Sequence, residues 1–128
     1  MNLKYDFSAY TMKDYVAIAQ GIFYLLTGVW ALVSIKTFQM VTGPKTDLWL
    51  VKTVGVLVSV IGTVLILAGA RSQITLEVFV LAVGSCLVLA AIDIIYVSKK
   101  VIAPVYLWDA AAELILAFVW IGSYIFSK

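Results

Sequence analysis

Four apolar stretches dominate the chain, at residues 15–38, 48–70, 74–97 and 104–126. Each is about 23 residues long, enough at 1.5 Å per residue to cross a hydrocarbon core of about 30 Å with some tilt. The pattern predicts four membrane-spanning helices. Short connections separate them: 39–46 with Gly43-Pro44, then Arg71-Ser72-Gln73, then 98–103 leading into Pro104. Proline is well tolerated where a helix starts, because its missing N–H has no partner there, so Pro44 and Pro104 mark the starts of the second and fourth spans. Short links make sequential spans antiparallel neighbours. The fold expected is an all-α four-helix transmembrane bundle, up-down-up-down, with both termini on the same side.

Composition supports this and narrows it. The chain has 128 residues and is 64% hydrophobic, more than a soluble domain of this size can bury. The four spans leave no room for a soluble domain, so residues 1–128 read as a single integral membrane domain. Segment 1–14 mixes Lys4, Asp6, Lys13 and Asp14 with Tyr5, Phe7 and Tyr10. It is not a secretory signal, and it reads either as an interfacial segment or as a partly ordered tail.

The net charge of +2 comes without a basic run, so no nucleic-acid partner is expected. Histidine is absent, which removes imidazole bases and histidine metal ligands. The single cysteine, Cys86, lies in mid-span, so no intramolecular disulfide forms and a packing role is expected. Lys4, Lys13, Arg71 and Lys128 fall on one side of the membrane and Lys36, Lys45, Lys99 and Lys100 on the other. So even a division sets no orientation. A faint repeat relates Pro44 and the following Leu48-Trp49 to Pro104 and Leu107-Trp108, at an offset of about 60 residues.

Four charges interrupt the apolar runs: Lys52, Asp93, Asp109 and Glu113. Charge in hydrocarbon is costly and normally faces a partner, a cavity or a water path. In an up-down bundle all four lie toward one face of the bilayer, about 7 to 13 Å deep at 1.5 Å per residue. Lys52 shares a helix face with Gly55, Ser59, Gly62, Ile66 and Gly69, which points it toward protein. Asp109 and Glu113 are an i,i+4 pair, two carboxylates that resist ionising together in a low dielectric. Asp93 shares its face with Ala90, Cys86 and Ala82, and Tyr96 is one turn away as a hydrogen-bond partner.

Structural roles compete with functional ones at each position. Lys52 can snorkel to the headgroups, Asp109 can favour its helix N-terminus, and a Lys52–Glu113 or Lys52–Asp93 pair can fix helix register. Gln20, Tyr24, Thr27 and Gly28 form a second polar and small stripe, on the first span, and Trp30 and Trp120 are candidates for lining a pocket.

Two four-span families of this length do not fit. Small multidrug transporters carry a carboxylate in mid first span, where this chain has Tyr24, Thr27 and Trp30. Dual-topology fluoride channels carry an Arg-Tyr pair after a glycine-rich first span, and it is missing here. The run Val41-Thr42-Gly43-Pro44-Lys45-Thr46-Asp47-Leu48-Trp49-Leu50-Val51-Lys52-Thr53-Val54-Gly55, with Ala91-Ile92-Asp93-Ile94-Ile95-Tyr96, resembles small bacterial four-span integral membrane proteins of unassigned function. The resemblance covers about a fifth of the chain. It implies four spans and a bacterial inner membrane, and it carries no activity.

The leading expectation is a non-enzymatic membrane protein with a polar intramembrane pocket that binds or translocates a small cation, a proton or an amphipathic molecule. Glu113, Asp93, Asp109, Lys52 and Tyr96 are its ligand-binding candidates, with Lys52 as counter-charge. No catalytic residue, cofactor or metal site is expected. Besides the bilayer and that ligand, a homodimer is the partner a transport role calls for. Two alternatives stand beside it: a membrane-embedded isomerase or hydrolase acting on a lipid-like substrate, with a carboxyl as acid or base, and a structural or accessory subunit.

Overall fold

The computed structural model describes residues 10–44 and 46–126. Regular structure among them is helical, in five elements: α1 Met12–Val33, α2 Ile35–Thr42, α3 Leu48–Ala70, α4 Leu76–Ser98 and α5 Tyr106–Phe126. All but α2 are long and apolar enough to cross a membrane. Large apolar side chains such as Leu26, Ile115 and Phe118 stand exposed on the outside, where hydrocarbon suits them and water would not. The chain is a multi-pass membrane protein, an all-α up-down-up-down bundle. The start of α1 and the end of α5 share one end, where Lys13 Nζ lies 5.6 Å from the centre of the Tyr124 ring. Most of the predicted interfacial segment lies outside the described residues, and residues 12–14 already form the first turn of α1.

The first span differs from expectation. It does not run unbroken from 15 to 38: α1 stops at Val33, Ser34 takes a non-helical conformation, and α2 sets off as a separate helix. Twenty-two residues already cover about 33 Å at 1.5 Å per residue, so the chain has reached the interface by Val33. Side-chain hydrogen bonds hold the break. Thr37 Oγ1 donates to Ser34 Oγ at 2.7 Å, and Trp30 Nε1 donates to Thr37 Oγ1 at 2.9 Å. Trp30 and Phe38 stack edge to face with centroids 5.2 Å apart, tying α2 back against α1.

α1 and α3 form the closest pair. Gly55, Gly62 and Gly69 recur every seven residues on α3 and meet Gly28, Gly21 and the Asp14 carbonyl of α1. A methyl group on Gly62 would lie 2.6 Å from the Gly21 carbonyl oxygen and 2.8 Å from the Leu25 amide nitrogen, so backbone rests directly on backbone. The outer end of this seam is tied by Tyr10, whose hydroxyl donates to the Ala70 carbonyl at 2.7 Å. There the buried Asp14 accepts from the Thr11 amide and from Ser72 Oγ, both at 2.9 Å.

α4 and α5 pack through alanines, with Ala82 and Ala90 facing inward from one and Ala110 and Ala117 from the other. The α3–α4 and α4–α5 connections close alike. The backbone amides of Gln73 and Val101 each reach back five residues, with Ser72 and Lys100 at φ values of 52° and 60°.

α3 and α4 are sequence neighbours but scarcely touch beyond their link, contrary to the expectation for sequential spans. The packing face of α3 is already committed to α1. At the end holding the α1 start, Val16, Ala17, Leu65, Ala82 and Trp120 fill the interior as a dry core. At the other end the gap between α3 and the α4–α5 pair stays open.

Candidate functional site

That gap holds a cavity of about 550 Å³. One wall is α3, through Leu50, Val51, Val54 and Val58; the opposite wall is α4 and α5, through Leu89, Ile92, Asp93, Asp109 and Glu113. α1 closes the back with Tyr24, Thr27 and Ala31. Phe38 and Thr42 of α2 cover the end, which is why the break at Ser34 matters: it folds the polar tail of the first span over the opening. Most of the lining is apolar or aromatic, including Phe23, Tyr24, Trp30, Phe38 and Tyr106.

The carboxyl groups sit at three levels. Glu113, only 1% exposed, is the innermost, and its Oε1 accepts a 2.7 Å hydrogen bond from the Tyr24 hydroxyl of α1. Cys86 Sγ lies 3.8 Å from the same hydroxyl. Asp93, 6% exposed, faces Asp109 across the α4–α5 interface. Asp93 Oδ2 is buried without a hydrogen-bond partner among the described residues. Asp47 lies at the rim, just before α3.

No lysine or arginine is among the described residues lining the cavity. An acidic cavity with aromatic walls attracts a cation through its carboxylates and through the negative faces of its rings.

Below Glu113 a second polar group is fully satisfied. Trp120 Nε1 donates to Gln20 Oε1 at 2.6 Å, and Gln20 Nε2 donates to the Ala82 carbonyl at 3.1 Å. All three are buried. These bonds tie α1, α4 and α5 together below the cavity and leave no polar end free to reach it.

Glu113, Asp93 and Asp109 thus come together in one cavity, whereas Lys52 and Tyr96 do not. Lys52 is exposed on α3 and outside the lining. The inward orientation read from its glycine face is corrected by where α1 ends. Gly55 meets Ala31 and Leu32, so one turn nearer the α3 start α1 has already broken and nothing covers Lys52. Tyr96 is 37% exposed and lies near Lys99, whose Nζ is 5.8 Å from its ring centre. The buried face of α4 runs through Ala82, Cys86, Ala90 and Asp93, and Val97 rather than Tyr96 continues it.

Tyr24 is the partner that was not assigned to Glu113, although it stood in the polar stripe of the first span. Trp30 lines the cavity, and Trp120 lies in the dry core instead. No protein-family model, curated protein or solved structure matches the chain. The site is therefore read from its own chemistry.

Proposed function

We propose that this membrane protein binds a small amphipathic cation in the cavity between α3 and the α4–α5 pair. The observation that carries the reading is the set of three buried or half-buried carboxyls, Glu113, Asp93 and Asp109, in a largely apolar cavity with no basic side chain along its described walls. A bare ion needs far less space, whereas about 550 Å³ falls in the range of pockets for organic molecules. The aromatic walls take the apolar body of such a molecule and the carboxyls take its charge. An accessory subunit whose charges only hold helices together would pair them internally, and Asp93 keeps an oxygen unpaired. The cavity lies within one chain, so the binding step needs no second copy. The dry core below it closes the other half of the bundle, which makes binding the step this conformation serves.

The test uses purified protein in lipid nanodiscs, titrated calorimetrically with three ligands of one shape: a phenylpropyl-dimethylamine, phenylpropanol and phenylbutyrate. The protonated amine is expected to bind at least about tenfold more tightly than the neutral alcohol, with no binding of the anion. Glu113→Gln combined with Asp93→Asn and Asp109→Asn should abolish the difference between amine and alcohol. Equal binding of amine and alcohol by the unaltered protein would overturn the reading.

A further inference from the structure

A ligand can reach a cavity at this depth from water or from lipid, and the walls distinguish the two. Three boundaries between the spans are closed. Glycines bring α1 onto α3, alanines bring α4 onto α5, and the Tyr24–Glu113 and Trp120–Gln20 bonds tie α1 to α5. The boundary between α3 and α4 is not closed, since those helices scarcely touch beyond their link. Side chains that line the cavity along it also reach the outer surface. Val54 of α3 is 48% exposed and Ile92 of α4 is 45% exposed, while Val58 and Leu89 are half-buried. Val54 and Ile92 each stand six residues from the interfacial end of their helix, about 9 Å along the axis. That depth is hydrocarbon, so the cavity opens sideways into lipid through a fissure with apolar lips. Toward the interface, the buried Thr42 and half-buried Phe38 of α2 lie over the end. Toward the bilayer centre the dry core closes the interior.

A fissure with apolar lips at this depth is filled by hydrocarbon, because walls facing a void forfeit the contacts that a chain supplies. The chain that fits best is one whose own head complements the carboxyls at the inner end. We propose that the ligand is a single-chain amphiphile with a cationic amine head, taken from the bilayer through the fissure between α3 and α4. The inference rests on the cation-binding reading above and specifies its ligand class and route. The ammonium lies among Glu113, Asp93 and Asp109, and the chain runs out between Val54 and Val58 on one side and Leu89 and Ile92 on the other. Its far end stays in lipid. Leaving lipid for the fissure exchanges one apolar environment for another, so chain length changes the affinity little. An enclosed pocket behaves differently and rejects methylenes beyond its capacity, as an overpacked core does.

The experiment titrates the protein in lipid nanodiscs with octyl-, dodecyl- and hexadecyl-dimethylamine. Affinities are referenced to the amine concentration in the bilayer, measured on protein-free nanodiscs. They should agree within about threefold across the series. Val54→Trp combined with Ile92→Trp narrows the fissure with side chains at lipid-facing positions. It should weaken dodecyl-dimethylamine at least about tenfold more than the compact phenylpropyl-dimethylamine. If that variant does not fold, the chain-length series in the unaltered protein decides alone.

A bilayer-referenced affinity that falls about tenfold or more from octyl to hexadecyl, with the preference for amine over alcohol kept, would overturn the inference and leave cation binding intact. Loss of that preference, read with dodecanol and phenylpropanol as the neutral partners, would sink both. Equal weakening of the compact and the long-chain amine in the double variant would remove the α3–α4 fissure as the route.

Discussion

The α1–α3 pair and the α4–α5 pair are each two antiparallel spans, the first joined through helix α2 and the second by a short connection, and they are held together differently. Within a bilayer no hydrophobic effect drives helix against helix, so association rests on close packing and polar contacts. α1 and α3 rely mainly on close packing: glycines at seven-residue spacing bring the backbones together, with the Tyr10 and Asp14 hydrogen bonds confined to one end. α4 and α5 meet through alanines and keep two acidic residues, Asp93 and Asp109, where they open toward the cavity. The comparison teaches why a cavity exists at all. Having used its packing face on α1, α3 has none left for α4, and the carboxyls line the space between.

The largest effect should come from the glycine seam. Gly62→Val would drive a branched side chain into the Gly21 carbonyl and the Leu25 amide, backbone atoms with nowhere to go. We expect destabilisation of about 3 kcal/mol or more, measured as reversible unfolding in mixed micelles. Gly84→Ala on α4 and Gly122→Ala on α5 sharpen the contrast, because nothing lies within 4 Å of an added methyl group there. Their expected change is within about 0.5 kcal/mol. Similar losses at Gly62 and Gly84 would erase the distinction between the two pairs.

An intermediate effect should come from the contact between the pairs. Trp120→Phe keeps most of the aromatic bulk but leaves Gln20 Oε1 buried without its donor. The expected cost is about 1–2 kcal/mol by the same unfolding measurement. Gln20→Leu orphans the Trp120 N–H and removes the Gln20 bond to the Ala82 carbonyl, and should cost at least as much.

The smallest effects should fall on the two charged-face candidates outside the cavity. Lys52→Ala and Tyr96→Phe should each change stability by about 0.5 kcal/mol or less and leave amine affinity in nanodiscs within about twofold. A tenfold loss of amine binding in Lys52→Ala would put that lysine back at the site.

The spans were legible because length and hydropathy are properties of one segment at a time. The break at Ser34 was not. A single serine in Ala31-Leu32-Val33-Ser34-Ile35 scarcely lowers the hydropathy of the run, and the signal lies in its bonds to Thr37. Lys52 was misread for a related reason. Its helix face was read correctly along α3, but whether that face is covered depends on where α1 ends. Glu113 and Asp93 were legible as charges out of place. Their surroundings were not, since Tyr24 and Glu113 lie 89 positions apart and meet only through the docking of one helix pair on the other. The near-absence of contact between α3 and α4 was equally hidden, because a short link usually enforces what the glycine seam here prevents.

The glycine seam also has a consequence for biogenesis. Everything it requires lies between Asp14 and Gly69, so the first hairpin can close as soon as Ala70 has entered the membrane, before α4 and α5 are made. During that interval Gln20 and Tyr24 sit on a finished hairpin with their polar ends turned to lipid. Their eventual partners, Ala82, Glu113 and Trp120, are still to be synthesised. The polar stripe of α1 is thus an unfilled docking edge during insertion, and the arrival of the second hairpin both satisfies it and creates the cavity.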